Sequence, residues 1–176
     1  NNDDRSTHVK ILKKIIKASS EAGLSMIEIP VIGPSSIKNQ DDMNLLIEAI
    51  WDCVDLADNC GIEILLETDL SPYDFKSLID TFGGKVGLSY DTGNSTYFEF
   101  DQYEEIIILG DLIKNIHIKD CMKGQPYRTV SLGTGETQFE DCFKAFKQIG
   151  YSGNFIIQAA REKDDIQAAR NFLSFT

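Results

Sequence analysis

The chain has 176 residues, 42% hydrophobic and 26% charged, enough for one globular domain with a sizeable core. Its 28 acidic residues outnumber 17 basic ones for a net charge of −11, which argues against nucleic acid as a partner, because a phosphate backbone demands a basic face. No apolar run reaches the roughly 18 residues of a membrane span.

In chain order, His8 to Ala22 carries Val9, Leu12, Ile15 and Ile16 at helical spacing, and Gly23 is a suitable stop. Met26 to Ile32 reads as a short strand closed by Gly33 and Pro34. Met43 to Asn59 reads as a helix with Leu46, Ile47, Ile50, Val54 and Ala57 on one face, ended by Gly61. Ile62 to Glu67 is an apolar run that finishes in a carboxylate. Ser71-Pro72 then opens a helix over Tyr73 to Phe82, proline being suited to a first helical turn.

Gly83-Gly84 precedes a strand over Lys85 to Asp91. Asp101 to Leu112 reads as helix and Asn115 to Asp120 as strand. A polar loop with Gly124, Gly133 and Gly135 follows. Gln138 to Ile149 is helical, Phe155 to Gln158 is the last strand, and Asp164 to Phe172 is a closing helix.

This alternation predicts parallel βαβ units. No stretch is rich enough in Pro, Gly or Ser to divide domains, so residues 1–176 are expected to form a single one. A doubly wound open sheet fits the length. A (β/α)₈ barrel needs about 250 residues, so this chain would supply its last five units. Periodicity alone does not choose between them. Cys53, Cys60, Cys121 and Cys142 form neither a CxxC pair nor a disulfide framework, which points to reduced thiols and a cytoplasmic location.

Glu67, Asp91, His117 and Gln158 stand at the ends of four successive strands. Both parallel architectures build their sites at that edge of the sheet. Carboxylates with one imidazole and no thiolate form a set suited to Mn²⁺, Mg²⁺, Co²⁺ or Zn²⁺ rather than to a structural zinc. Each residue has another reading. Asp91 can cap the turn at Thr92-Gly93-Asn94, Glu67 opens onto a polar loop, and His117 can be a satisfied core residue. One such group at each of four strands is harder to obtain by accident.

Side chains two apart on a strand share a face, so Lys119 is expected on the side of His117, and Asp120 away from it or at the start of the loop. Lys119 can donate to a substrate oxygen or pair with Asp91 or Glu67. Gly133 and Gly135 permit close backbone approach. Arg161 can clamp a phosphate or carboxylate, or stand solvated among Glu162, Lys163 and Asp164.

The stretches Leu65-Leu66-Glu67-Thr68, Tyr90-Asp91-Thr92-Gly93-Asn94, Ile116-His117-Ile118-Lys119-Asp120 and Leu132-Gly133-Thr134-Gly135-Glu136 resemble the xylose-isomerase-like superfamily, in particular its sugar-phosphate isomerase and epimerase group. The resemblance runs from about Met26 to the end and lies more in order and spacing than in any one motif. It implies a (β/α)₈ TIM barrel, of which this chain is the C-terminal portion, the first three strands being absent from the sequence. The chain, which starts at Asn1, is then expected to be a piece of a longer one.

The resemblance also implies a divalent metal held by Glu67, Asp91, His117 and position 158, with Glu67 and position 158 as the catalytic pair. Asn94 and Arg128 fall where that group contacts its substrate, and Lys119 and Arg161 join them as candidate substrate-binding residues. Position 158 departs from the pattern: the group has Glu where this chain has Gln158. An amide is no general base near neutral pH, so proton transfer on both faces of a carbon is doubtful, while one-face isomerisation with Glu67 survives.

The leading expectation is a metal-dependent isomerase or epimerase of a sugar or sugar phosphate. The alternative is a non-catalytic sugar-binding or regulatory relative with a degenerate metal site. A nuclease of the endonuclease IV type shares the fold. It needs a three-zinc cluster with more histidines than His8 and His117, and a charge other than −11. Neither nucleic acid nor membrane is expected as a partner, and a homo-oligomer is left open.

Overall fold

The computed structural model describes residues 2–125, 128–158 and 164–175. The chain divides into two compact units, Asn1–Leu88 and Ser89–Thr176.

The first unit alternates helix and strand: α1 (Asn2–Glu21), β1 (Met26–Val31), α2 (Gln40–Cys60), β2 (Glu63–Thr68), α3 (Pro72–Asp80) and the start of β3 (Val86–Asp91). Both helices that follow strands have explicit start signals. The Asn39 side chain accepts from Asp42 N, and Asp41 and Asp42 sit in the first turn of α2, where the helix dipole favours them. Ser71 accepts from Asp74 N ahead of Pro72 in α3. Gly61 closes α2 in a left-handed conformation at φ 67°, which costs glycine no Cβ clash. The buried residues of α2 are Ile50, Cys53, Val54 and Ala57, the stripe that a 3.6-residue period requires.

The strands are parallel in the order β1-β2-β3, with Glu28 opposite Leu65, Pro30 opposite Glu67, and Leu66 opposite Leu88. In β2, Ile64, Leu65 and Leu66 are buried together, so both faces of this strand are covered.

The second unit holds the end of β3, α4 (Thr92–Tyr97), α5 (Gln102–Leu109), β4 (Ile113–Ile118), a small hairpin of β5 (Asp120–Cys121) and β6 (Thr129–Val130), α6 (Phe139–Gln148), β7 (Asn154–Ile157) and α7 (Asp165–Phe175). Here the order is β3-β4-β7, and His117 lies opposite Ile156 in the parallel β4–β7 ladder. Phe146 of α6 is buried against Tyr90 at 5.7 Å in an edge-on contact, and against Phe155 at 5.7 Å. Glu105 of α5 lies beneath this layer. It accepts from the Tyr90 hydroxyl at 3.0 Å and from the Ser95 hydroxyl. Burial pushes its carboxyl up to about 7.

Two elements differ from the sequence expectation. The segment after Asp91 is a helix, α4, and not only a turn. Its residues Thr-Gly-Asn-Ser-Thr-Tyr have poor helix propensity, but five of the six are buried and Asp91 caps them. The helix expected to run to Leu112 stops at Leu109, where Gly110 at φ 52° breaks it, and one 3₁₀ turn follows. Among the described residues, no helix is long and apolar enough to cross a membrane.

Candidate metal centre and its surroundings

Strand alternation decides which polar groups share a face. In the first unit, Glu28 and Pro30 of β1 and Leu65 and Glu67 of β2 point the same way, because Glu28 pairs with Leu65 and Pro30 with Glu67. Glu67 is 5% exposed at the end of its strand. One carboxylate oxygen of Glu28 lies within 4.8 Å of one of Glu67. Two ionised carboxylates this close repel each other unless a proton or a cation is shared between them. Hard oxygen donors of this kind suit Mn²⁺ or Mg²⁺.

Glu28 is not among the residues that the sequence pattern singles out. A single carboxylate within the apolar run Met-Ile-Glu-Ile-Pro-Val was the signal available. Its significance depends on the β1–β2 register, which no local pattern reveals.

In the second unit, Ser89 and Asp91 share a face of β3, and Asn115 and His117 share one of β4. Asn115 Nδ2 donates to Ser89 Oγ at 3.1 Å, so these are the same face of the sheet. Asp91 and His117 are both buried. Asp91 Oδ1 accepts from the backbone N–H groups of Gly93 at 2.8 Å and Asn94 at 3.0 Å, the N-cap of α4. Asp91 Oδ2 accepts from Lys119 Nζ at 3.1 Å, and the same ammonium donates to Asn94 Oδ1 at 3.2 Å. Asp91, Asn94 and Lys119 therefore form one hydrogen-bonded group. Of the two partners weighed for Lys119, the structure has Asp91.

Gln158 is exposed just beyond β7, and its backbone N–H donates to Ile118 O at 3.0 Å. Arg128 is exposed on the hairpin loop and donates to Gln125 Oε1 at 2.6 Å. Arg161 lies outside the described residues.

Asp120 turns out to organise the glycine loop. It is 1% exposed. Its Oδ2 accepts from Gly133 N at 2.9 Å and Gly135 N at 2.8 Å, and its Oδ1 from Thr137 N at 3.2 Å. A Cβ at Gly135 would come within 2.7 Å of the Cys121 carbonyl, so the pair of glycines serves this fold of the loop. Asp120→Ala is expected to cost about 2 kcal/mol, because it strands three partly buried donors at once. Urea unfolding of the two proteins measures this, and a loss under about 1 kcal/mol would show that water replaces the carboxylate.

Comparison with known proteins agrees with this architecture. An L-ribulose-5-phosphate 3-epimerase, UlaE, of Salmonella paratyphi A is 23% identical over 177 residues, covering 94% of this chain. The chain spans 60% of the length of that relative. A xylose isomerase domain protein from Planctomyces limnophilus superposes with a TM-score of 0.81 at 23% identity, over 99% of this chain and 66% of that one. A D-tagatose 3-epimerase-like protein superposes with a TM-score of 0.80 at 18% identity, over 99% and 72%. The family model for the xylose isomerase-like TIM barrel matches residues 1–175, and the chain belongs to that family.

Proposed function

We propose that this chain carries the metal site of an isomerase or epimerase acting on a sugar or sugar phosphate. The observation that bears most on this is the pair Glu28 and Glu67, two carboxylates within 4.8 Å on one strand face. The family resemblance implies His117 and Asp91 as further ligands. Two or three carboxylates with one imidazole suit Mn²⁺, Co²⁺ or Mg²⁺, and the absence of thiolate speaks against a structural zinc. A divalent ion there, when bound, supplies positive charge to sugar oxygens that become negative as a neighbouring C–H bond breaks.

Glu67 is assigned the general base. Its carboxylate takes the proton from the carbon beside the carbonyl, and the C–H electron pair moves toward the carbonyl oxygen to give an enediolate. Returned by the same carboxylate to the former carbonyl carbon, while the hydroxyl proton passes from the neighbouring oxygen to the former carbonyl oxygen, that proton completes an aldose–ketose isomerisation. Burial of Glu67 keeps water from competing for the proton. Asn94 and Lys119 are assigned to the substrate's oxygens, with Arg128 and Arg161 as further contacts for its hydroxyl or phosphate groups.

Epimerisation at one carbon needs a second base on the opposite face, and at the position where the resemblance implies that base this chain has Gln158, an amide. Of the two reactions, one-face isomerisation is the better fit to these residues, although relatives by name are 3-epimerases. Gln158 also favours the second reading, a sugar-binding relative that holds its ligand without proton exchange. A cytoplasmic location accords with four free thiols, Cys53, Cys60, Cys121 and Cys142.

The test is metal content after dialysis against Mn²⁺ beside His117→Ala, followed by incubation with ketose 5-phosphates in D₂O. The expected result is about one Mn²⁺ per wild-type chain, depleted in the variant, with deuterium entering the sugar. Retained metal without deuterium incorporation would favour the sugar-binding reading. No metal in either protein would overturn the assignment.

A further inference from the structure

Within the second unit the carboxylate of Asp91 is already supplied with a cation. Its Oδ1 is taken by two backbone N–H groups at the start of α4. Its Oδ2 holds the Lys119 ammonium at 3.1 Å. The Lys119 side chain is 12% exposed and that of Asp91 1%, so solvent screens the pair weakly.

The route of the lysine is built into the chain. A Cβ at Gly93 would meet Lys119 Cγ at 2.7 Å, Lys119 Cδ at 3.0 Å and Cys121 Sγ at 2.8 Å. The Lys119 stem passes over the first turn of α4 through space that only glycine leaves open. Gly93 has no left-handed φ to explain it, so this passage is its evident purpose. The Lys119 backbone is fixed as well: its N–H donates to Thr92 Oγ1 at 2.9 Å, and its carbonyl accepts from that hydroxyl at 2.7 Å. The remaining hydrogen bond of the ammonium, to Asn94 Oδ1, gives it a place to stay when Asp91 is otherwise engaged.

We propose that Lys119 is a resident cation that competes with divalent metal for Asp91, and that Gly93 is the residue that admits it. The proposal rests on the reading of Asp91 as a metal ligand. A divalent ion at Oδ2 must share that oxygen with the ammonium and bear its repulsion at a few ångströms in a weakly screened site. The consequence is a metal that binds reversibly, its affinity set by a neighbouring lysine as much as by its ligands.

The experiment is calorimetric titration of Mn²⁺ into the full chain, its Lys119→Met variant and its Gly93→Ala variant, each checked for folding by circular dichroism. Lys119→Met is expected to bind Mn²⁺ at least about tenfold more tightly, since a positive charge beside the site is gone. Gly93→Ala is expected to shift in the same direction by less, since it displaces the stem and leaves the charge. If Lys119→Met does not fold, Gly93→Ala carries the test alone. Unchanged or weaker affinity in the variants, with Mn²⁺ bound by the wild type, overturns the competition and leaves the metal reading standing. Binding by the variant but not by the wild type supports the competition and removes the metal-loaded wild-type site. No binding by any of the three overturns both.

Discussion

Glu67→Gln is expected to lower turnover by about 10³-fold, within the range that loss of a positioned general base produces. The two side chains have nearly the same shape, so the buried end of β2 keeps its packing. The amide oxygen still offers a metal a donor, with less charge. Neither its nitrogen nor its oxygen accepts a further proton near neutral pH, so the step that breaks the C–H bond loses its acceptor. The measurement is kcat at saturating Mn²⁺ and sugar, together with the rate of deuterium exchange at the reacting carbon. Both fall together if Glu67 is the base. A fall in kcat below about tenfold, with exchange intact, would move that role to another residue and leave Glu67 a ligand only.

A second large effect concerns stability and arises away from the proposed metal. Glu105 is buried under the Tyr90–Phe146 layer, and burial lifts its carboxyl from 4.5 to about 7. The folded state therefore holds this proton more tightly than the unfolded chain does. Below about pH 4.5 both states are protonated and the full stability is present. As pH rises toward about 7 the unfolded chain gives up the proton first, and folding loses stability, levelling off above that. The loss is about 3 kcal/mol across the window.

Glu105→Gln keeps an oxygen for the Tyr90 and Ser95 hydroxyls without ever ionising. Its stability is expected to fall less between pH 5 and pH 8 than that of the wild type, by about 2 kcal/mol, the part of that loss which falls inside this window. Denaturant midpoints of both proteins at the two pH values give the difference, from which the other titrating groups cancel. Parallel slopes would mean that the carboxylate finds water or a cation in the folded state.

Much of the fold was legible because burial patterns are local. The stripe Ile50, Val54 and Ala57 announces α2, and Ser71 and Gly61 mark where helices begin or stop. The runs ending in Glu67, Asp91 and His117 read as strands, and alternation with helices implied a parallel sheet. Helix α4 was not legible, since six residues of poor propensity become helical only once buried and capped. The β5–β6 hairpin, two residues to a strand, is held by Asp120 and its distant donors rather than by any periodicity.

The candidate site divides in the same way. A carboxylate or imidazole at the end of each strand is a property of the sequence, because the side-chain period of a strand is two and its polar end follows from where the apolar run stops. What each group does there is not. Glu28 entered only through its register with Leu65, which puts it beside Glu67. Asp91 could be ligand or cap by sequence, and its cap and its ion pair with Lys119 depend on helix α4 and strand β4 meeting at one point. Asp120, expected to point away or start a loop, became the anchor of that loop through backbone groups up to 17 residues on. The sequence by itself determined most of the elements, the parallel sense of the strands and which residue types crown them, all consequences of local patterning. Tertiary structure alone decided which of those groups meet one another, a lysine ammonium or a backbone donor, because the surroundings and aim of a buried side chain are set by neighbours that the chain brings from far away.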